Sequence, residues 1–513
     1  MRNTAFSFAQ QAAAMALAII LVPYMLAMLG PERYGLWLIL QLFNLLGLAS
    51  LAELGFQGAI VRYLARYHAN GDRAAFRAML ASGFKLFAAI GAVMAAATIA
   101  LAQTEFARLF PISAENAEEM RRALTVVGAG LLAGFPALMV KAYFAARQEL
   151  AVAKIWELAD RLVFALGTFV LLQLTTDLVA LVLFEQVVAL VLALAFACVA
   201  WREGTGWFAV RAPLPRAEDL RGVVAMSGSV FGANAVSQGF NRLPELFVGA
   251  ILGPVTLTAY QLATRIPRVI KTLQGSLNAA VLPHIARLDA GGAGDEREAR
   301  GASDEARRAF ALQGLRANYL VAMPLLVASA LLAPVLLELW VGAAYRPLAG
   351  YLVAFTGFQA LFLASNYCSA TLTRHSHFRL FVRANCAIGA AFVVALSIGL
   401  ERWGLGFVFA ALLVSGTAMF ACVLLVFRLA HGADPGVLFR TALAGPVVLS
   451  GALGVVLLAP GAWWLAKGVW LPGFAAYALG GAVYLGAIVR LVLTDVERGW
   501  LAALIIQRWK RAR

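Results

Sequence analysis

Charged residues, cysteines and histidines are all scarce in this chain. Charged residues make up 13% of it, roughly half of the ~25% found in soluble domains, which argues against a soluble enzyme or binding module. All four cysteines fall in apolar segments without metal-ligand spacing, so we predict neither a zinc site nor a disulfide framework. The five histidines include no HExxH pair. The sequence therefore predicts no metal, no cofactor and no catalytic centre.

Acidic residues are scarcer than basic ones. The chain has 27 Asp and Glu against 42 Lys and Arg, which gives a formal net charge of +15. Because the cations are concentrated in loops between apolar runs, we assign this excess to membrane topology and to anionic lipid head groups. The sequence therefore predicts contact with membrane lipids and no nucleic-acid partner.

Long apolar runs fill most of the sequence. A helix needs about 20 residues to cross ~30 Å of hydrocarbon, because in lipid it must satisfy its own backbone hydrogen bonds. The runs predict an all-α integral membrane protein with about 14 transmembrane helices. The predicted spans are 5–29, 34–57, 79–102, 122–145, 154–175, 178–200, 224–251, 254–284, 317–340, 347–371, 379–400, 403–427, 441–465 and 470–493.

Basic residues orient the predicted bundle. Most Lys and Arg fall in the N-terminus, the even-numbered connections and the C-terminal tail. The opposite side carries Arg33, Arg108, Arg121, Arg122, Arg346, Arg402 and Lys467. Because basic residues favour the cytoplasmic side, we expect both termini of this multi-pass protein to be cytoplasmic.

A short motif occurs twice. Leu29-Gly30-Pro31 follows the first span, and Leu252-Gly253-Pro254 follows the seventh. The repeated unit holds six helices, an even number, so we expect two lobes related by a pseudo-twofold axis along the membrane normal. The expected domains are an N-lobe (1–200), a cytoplasmic linker (201–222), a C-lobe (223–430), two appended helices (431–493) and a basic interfacial tail (494–513).

Polar residues follow one face of the seventh and eighth spans. Two such faces in succession, with four cations, predict a water-filled cavity for an anionic ligand. Arginine suits phosphate because its planar fork grips two oxygens at once. The predicted substrate-binding residues are Asn234, Gln238, Asn241 and Arg242 in the seventh span and Gln261, Arg265, Arg268 and Lys271 in the eighth.

The alternative for these cations is structural. Arg242 and Glu245 lie one turn apart and can pair, while Arg268 and Lys271 are close enough to the cytoplasmic end for their charges to reach water. Arg265 fits that alternative poorly, because it lies nearer to mid-span at a cost of ~2.5 to 3.5 kcal/mol.

Carboxylates within spans are candidates for ion coupling. A buried carboxyl group can cycle between charged and neutral forms, so we predict that Glu53 or Glu245 binds a coupling proton or sodium ion. For Glu53 the alternative is a carboxylate at the cytoplasmic interface near Arg62. Lys141 and Gln57 are further cavity candidates. Glu185 also lies within a span.

Several motifs resemble those of a known family. The segment LGPERYGLW at 29–37, followed by LAELGF at 51–56, resembles the first helical hairpin of bacterial polysaccharide and O-antigen flippases. These transporters belong to the multidrug/oligosaccharidyl-lipid/polysaccharide (MOP) exporter superfamily. The second Leu-Gly-Pro motif, LWVG at 339–342 with Tyr345, and Asn385 followed by WGLG at 403–406 are similar to later landmarks. Glu53 departs from the family, which often has Asp there.

The resemblance implies a MATE-like fold of twelve helices in two lobes, with two appended helices, in a bacterial cytoplasmic (inner) membrane. It implies that an undecaprenyl-pyrophosphate-linked oligosaccharide is moved to the outer leaflet by alternating access, for O-antigen, capsule or exopolysaccharide synthesis. A polysaccharide polymerase and a chain-length regulator are the protein partners it suggests. The cations would suit the pyrophosphate, and the appended helices would suit a groove for the prenyl tail.

Three other functions compete with this interpretation. A peptidoglycan lipid-precursor flippase shares the fourteen helices and a cationic cavity. A multidrug or cation antiporter of the same superfamily has twelve helices and usually an acidic cavity, whereas the polar face here is basic. A membrane polysaccharide polymerase or ligase would need a sizeable outward loop with catalytic groups, and the longest outward loop here, 103–120, is short and lacks a convergent His, Asp and Arg set.

The topology is testable at the charged segment 290–308, for which the sequence predicts a cytoplasmic loop or short surface helix. On a cysteine-free background, a single cysteine in this segment should resist an impermeant thiol reagent added to intact cells and react after the cells are opened. A cysteine at 105, in an outward loop, is the matched control and should react in both. Labelling of the 290–308 cysteine in intact cells would reverse the orientation.

Overall fold

The computed structural model describes residues 2–45, 47, 55–106, 110–202, 216–290, 298–371, 378–431 and 450–487, with positions 436, 440, 444, 447, 448, 489, 490, 493 and 498. Every element in these residues is a helix. The predicted all-α class is therefore confirmed, as expected for a chain whose backbone must be satisfied within lipid.

We number the α-helices in chain order. They are α1 (Arg2–Phe43), α2 (Phe56–Ala69), α3 (Arg73–Gln103), α4 (Ala114–Ala146), α5 (Leu150–Leu174), α6 (Leu178–Arg202), α7 (Ala217–Phe247), α8 (Pro254–Ala290), α9 (Glu298–Leu331), α10 (Ala333–Val341), α11 (Ala349–Thr371), α12 (Phe378–His431), α13 (Ser450–Ala466) and α14 (Trp470–Ala487). A π-helical turn, Val248–Leu252, follows α7, and a 3₁₀ turn, Ala343–Leu348, precedes α11.

Six stretches of the described chain are long and apolar enough to cross a membrane. They are Arg73–Gln103, Ala114–Ala146, Leu178–Ala200, Leu312–Leu331, Ala343–Ser365 and Arg379–Leu429. Large apolar side chains on α5 and α6, such as Leu166, Leu174 and Val191, are exposed, which suits contact with lipid. The chain is thus a multi-pass membrane protein, and the number of fourteen spans stays a prediction.

Local sequence explains where several helices begin. Asp72 Oδ1 accepts a hydrogen bond of 2.9 Å from Ala75 N at the start of α3. Ser113 Oγ accepts one of 3.3 Å from Asn116 N at the start of α4. Such side chains satisfy backbone donors that a helix leaves open at its first turn. Pro254 opens α8, where its missing N–H costs nothing.

A glycine in the left-handed region bends α1. Gly30 has a φ of 74°, which breaks the helix between the first two predicted spans. The predicted span 34–57 is too long, because the helix ends at Phe43 and α2 begins at Phe56 after Gly55, whose φ is 76°. Hydropathy did not reveal this break, because glycine conformation and local hydrogen bonding set it rather than apolar content.

Two further predicted boundaries need correction. The span 317–340 divides at Leu332, and Pro334 lies in the first turn of α10, where proline is tolerated. The charged segment 290–308 is helical from Glu298 onward and continues into α9. Within α12, Gly404 has a non-helical backbone with a φ of 62°, so two helical parts meet close to the division predicted between the spans 379–400 and 403–427.

The described helices form two compact units. Unit 1 comprises Met1–Gln261 and Gly389–Val408, and unit 2 comprises Leu262–Ile388 and Phe409–Arg513. Fully buried Phe87, Phe135 and Tyr143 lie in the core of unit 1. Leu315, Val423 and Phe427 lie in the core of unit 2. The domain boundaries expected from the sequence repeat stay a prediction.

The two Leu-Gly-Pro motifs, which we call corners, meet within unit 1. Gly253, like Gly30, has a positive φ, 86°. Thr258 Oγ1, in the first turn of α8, donates a hydrogen bond of 2.7 Å to the Pro31 carbonyl of the first corner. Gly35 lies so close to Pro254 that a Cβ there would collide with the Pro254 carbonyl oxygen. The repeated motif therefore joins α1 to the start of α8.

Replacing Gly35 with alanine should destabilise the protein, because the obstructing atom belongs to the backbone and cannot rotate away. We expect a loss of about 1–3 kcal/mol, the usual cost of overpacking. Gly58→Ala is the matched control, because a Cβ at Gly58 meets nothing within 4 Å. Thermal unfolding of the detergent-solubilised protein should show a lower midpoint for G35A alone, and equal midpoints for both variants would contradict the close contact.

Candidate functional site

On α7 the structure shows the pairing that helical spacing allowed. Arg242 Nη1 lies 3.4 Å from Glu245 Oε2, and Glu245 is 2% exposed. Phe240, in the same part of the helix, packs against Phe392 with ring centroids 5.2 Å apart. The side chains of Asn234, Gln238 and Asn241 lie outside the described part of the chain, so their roles stay predictions. Arg242 and Glu245 form an ion pair in an apolar surrounding.

On α8 two cations pack against aromatic rings of α11, all within unit 2. The Arg268 guanidinium carbon lies 5.6 Å from the Phe355 ring centroid, and Lys271 Nζ lies 4.7 Å from that of Phe362. Cation–π contact with an aromatic ring stabilises a positive charge. Arg265 is half-buried one turn before Arg268.

The sequence around these cations contains no acid over a long stretch. Between Glu245 and Asp289 there is neither Asp nor Glu. Gln261, the first polar residue of the predicted set on α8, is buried in unit 1. The described part of α8 therefore carries an excess of positive charge, and a guanidinium is a planar donor of the kind that suits phosphate oxygens.

The remaining predicted residues lie in or near unit 1. Glu53 falls outside the described residues. Gln57 Nε2 donates a hydrogen bond of 3.2 Å to the Leu138 carbonyl, which ties α2 to α4. Lys141 Nζ lies 5.1 Å from the centroid of the Trp156 ring.

The sequence did not identify a polar cluster that joins α1 and α6. Gln41 Nε2 donates a hydrogen bond of 2.7 Å to Glu185 Oε2, and Asn44 Nδ2 donates one of 3.0 Å to Glu185 Oε1. Glu185 was noted as an ionisable residue within a span, but its partners are more than 140 positions away. Helical spacing could not have connected them.

The charged residues of the first corner, Glu32 and Arg33, have partners at the predicted outer side. Glu32 Oε1 accepts a hydrogen bond of 2.7 Å from Asn116 Nδ2. Arg33 Nε lies 3.3 Å from Glu119 Oε2, while the other oxygen of Glu119 accepts a hydrogen bond of 2.8 Å from Leu178 N at the start of α6. The motif thereby fixes α1 to α4 and α6.

At the predicted cytoplasmic end, three side chains form what we call the latch: Arg66 and Tyr67 of α2 and Asp219 of α7. Arg66 Nη2 donates a hydrogen bond of 2.7 Å to Asp219 Oδ1, and the Tyr67 hydroxyl donates a short one to Asp219 Oδ2. Burial, followed by the bond to Asp219, raises the pKa of the Tyr67 hydroxyl. The latch therefore attaches the first turn of α7 to α2.

The described residues contain no group of three or more His, Cys, Asp or Glu arranged to hold a metal ion. Their chemistry is that of binding: cations on α8, an ion pair on α7, and a carboxylate held by amides between α1 and α6.

Comparison with known sequences places the chain in context. A family model described as "Polysaccharide biosynthesis protein" matches residues 1–289, which is more than half of the chain. The matched region includes both corners, α7 and the cations of α8. No curated protein sequence matches the chain.

Solved structures share the fold over most of the chain. A lipid II flippase, MurJ, in an inward closed conformation is 11% identical, with a TM-score of 0.66 over 96% of this chain and 99% of that one. An inward-facing multidrug resistance MATE transporter of the MOP superfamily is 12% identical, with a TM-score of 0.65 over 85% of this chain and 99% of that one. A MOP superfamily transporter from Pyrococcus furiosus is 13% identical, with a TM-score of 0.55 over 83% of this chain and 95% of that one. The chain has the MOP transporter fold.

Removing the charge of the latch should loosen the start of α7. Asp219→Asn leaves Arg66 and Tyr67 without their carboxylate acceptor, and we expect ~1–3 kcal/mol of local stabilisation to be lost. Hydrogen–deuterium exchange of the peptide covering 217–223 should then be roughly tenfold faster or more. Glu218→Gln is the matched control, because Glu218 is the exposed acidic neighbour on the same turn. Equal exchange in the two variants would show that the latch contributes little.

Proposed function

This chain belongs to the family of polysaccharide biosynthesis proteins, and on that premise we propose that it is a flippase for a lipid-linked oligosaccharide. The substrate is an undecaprenyl-pyrophosphate-linked oligosaccharide, carried across the bacterial cytoplasmic membrane for O-antigen, capsule or exopolysaccharide synthesis. The similar solved proteins are titled as transporters and flippases rather than enzymes, which agrees with the prediction that the chain is not an enzyme.

The observation that carries this proposal is the set of cations on α8. Arg268 and Lys271 pack on aromatic rings, and no acidic residue occurs between Glu245 and Asp289. A polyprenyl pyrophosphate presents several phosphate oxygens next to an apolar tail. An arginine fork binds two such oxygens at once, and the nearby lysine adds a point charge.

Transport by alternating access requires two states with different affinities for the substrate. A ligand shifts such an equilibrium only by the difference in its binding free energy to the two states. In our proposal the pyrophosphate binds Arg265, Arg268 and Lys271 more tightly in the state open to the cytoplasm. Further contacts to the sugars or the phosphate are proposed from the sequence for Asn234, Gln238, Asn241, Arg242 and Gln261.

The two C-terminal helices accommodate the prenyl tail in this proposal. Within unit 2, the Tyr477 hydroxyl of α14 donates a hydrogen bond of 3.1 Å to the Ala328 carbonyl of α9. Gly461 of α13 lies against the backbone of Tyr477, so the two helices pack closely. Exposed Leu471, Leu479 and Leu485 of α14 offer an apolar surface to a long hydrocarbon chain.

The proposal places the protein in the inner membrane with both termini in the cytoplasm. A polysaccharide polymerase and a chain-length regulator would use its product. A coupling proton or sodium ion supplies the drive, and Glu53 and Glu245 are the sequence candidates. Glu245 is the weaker of the two on structural grounds, because Arg242 already neutralises it.

Arg268→Ala should abolish flipping while leaving membrane insertion unchanged, because the pyrophosphate loses its bidentate partner. Arg268→Lys should restore only part of the rate, since an ammonium cannot bind two oxygens in the same plane. Uptake of a fluorescent lipid-linked oligosaccharide into proteoliposomes measures the rate. Native mass spectrometry measures lipid binding. Arg268→Ala should weaken the binding of undecaprenyl pyrophosphate by about tenfold or more and leave the binding of uncharged undecaprenol unchanged.

Arg379→Ala, an exposed cation at the start of α12, is the matched control and should transport normally. Full transport by a variant that lacks both Arg265 and Arg268 would refute the assignment. A lipid-linked O-antigen unit and a peptidoglycan lipid precursor carry the same pyrophosphate. Comparing their flipping rates therefore tests which sugar the protein prefers. Faster flipping of the peptidoglycan precursor would favour that alternative.

A further inference from the structure

Glu185 has an unusual set of partners for a carboxylate within a membrane helix. It lies on α6, seven residues after the helix begins at Leu178, which is ~10 Å along the axis. Both of its oxygens accept hydrogen bonds from side-chain amides, those of Gln41 and Asn44. The side chain is therefore held between two segments that are distant in sequence.

No cation is among the described groups that act on Glu185. These groups are Gln41, Asn44 and Trp37 from the end of α1, and Asp160 from α5. Asp160 is itself an acid, and it interacts with Lys141 of α4 and with Arg161 and Glu157 on its own helix. Lys141 and Arg161 thus act on Asp160. Asp160 in turn places a second acidic group near Glu185.

Three other described acids of unit 1 contact a cation. Asp219 contacts Arg66, Glu119 contacts Arg33, and Glu245 contacts Arg242. A carboxylate without a cation costs several kcal/mol in a low-dielectric interior, whereas a neutral carboxylic acid costs far less. Of these four carboxyl groups, Glu185 is therefore the one for which protonation most clearly lowers the cost of its position.

We propose that Glu185 is the proton-binding site of this transporter, and that its proton controls the attachment of α6 to the end of α1. As a carboxylate, Glu185 accepts both amide N–H groups. As an acid, it gains an O–H donor and its protonated oxygen becomes a weaker acceptor, so the hydrogen bond from the facing amide weakens, or that amide turns to present its oxygen. Proton uptake therefore changes or breaks one of the two hydrogen bonds.

The segment attached to Glu185 also holds the start of α8. The second part of α1, Pro31–Phe43, begins at the first corner. At its other end, Gln41 and Asn44, which follows Phe43, bind Glu185. That corner accepts the hydrogen bond from Thr258 and packs against Pro254, all within unit 1. A short rigid helix thus connects the proton site to the base of the helix that carries Arg265, Arg268 and Lys271.

This inference rests on the proposed transport function, because a proton that drives a cycle must be taken from water on one side and released to water on the other. One proton crosses per cycle at Glu185, and no other atom is exchanged. A one-unit pH gradient can then bias the transport equilibrium by up to about tenfold. Nearby charges on α4 and α5 affect how readily Glu185 binds a proton. They are those of Lys141, Glu157, Asp160 and Arg161.

Proteoliposomes that carry wild-type protein, Glu185→Gln or Glu338→Gln provide the transport test. Glu338 is the matched control, because this partly exposed carboxylate has Arg346 at 3.4 Å. For wild type and E338Q, the ratio of substrate in the two leaflets at steady state should change by up to about tenfold per unit of imposed pH gradient, whereas E185Q should lose that response. A gradient response in E185Q equal to that of wild type would overturn the proposal.

Infrared difference spectra between acidic and neutral pH test proton binding without transport. Wild type with ¹³C-labelled glutamate should show a shifted carboxylic acid C=O band that E338Q keeps and E185Q lacks. If E185Q does not fold, Glu185→Asp serves instead, because the band should then lose its isotope shift. The absence of a Glu185 band refutes the proton site. A titrating Glu185 in a protein that flips no oligosaccharide would refute the proposed function and leave the proton site intact.

Discussion

The contact between the two Leu-Gly-Pro corners is the constraint on which the rest of unit 1 depends. A break in a helix leaves backbone groups without their partners within the helix. Here the break at Gly30 is compensated by Thr258, which donates to the Pro31 carbonyl, and by the close approach of Gly35 to Pro254. Glycine is required because φ is positive at the bends and because a Cβ at Gly35 has no room. The repeated motif is thus explained by backbone geometry, before any ligand is considered.

The charged residues of unit 1 fall into two groups. Some form ion pairs that join helices, whereas Glu185 is proposed to exchange a proton. The pairs Arg33–Glu119 and Arg66–Asp219 join neighbouring helices of the unit, and in each pair the carboxylate is buried and neutralised by a partly exposed arginine. Glu185 differs because its partners are neutral amides. Amides can serve as donor or acceptor by turning, which suits a group that changes its charge. The nature of the partner therefore decides which acid is structural.

Sequence patterns predicted the helical class, the paired corners and the Arg242–Glu245 spacing, because each depends on residues close in the chain. They failed at the end of α1 and at the division between α9 and α10, where glycine conformation and proline position, rather than hydropathy, end the helices. They also missed the Glu185 cluster, whose partners lie more than 140 positions apart. The aromatic support of Arg268 and Lys271 was equally out of reach, since it depends on how α8 packs against α11.

Among the predicted substrate-binding cations, the structure distinguishes Arg268 from Arg242. An aromatic ring contacts the face of a guanidinium, so that contact does not itself occupy the N–H groups in the plane, whereas a carboxylate such as Glu245 does. In the proposed function, the ring contact at Arg268 is compatible with phosphate oxygens in the plane of its guanidinium, whereas the carboxylate of Glu245 competes for that plane at Arg242. Coupling would require that the proton and the substrate bias the same equilibrium.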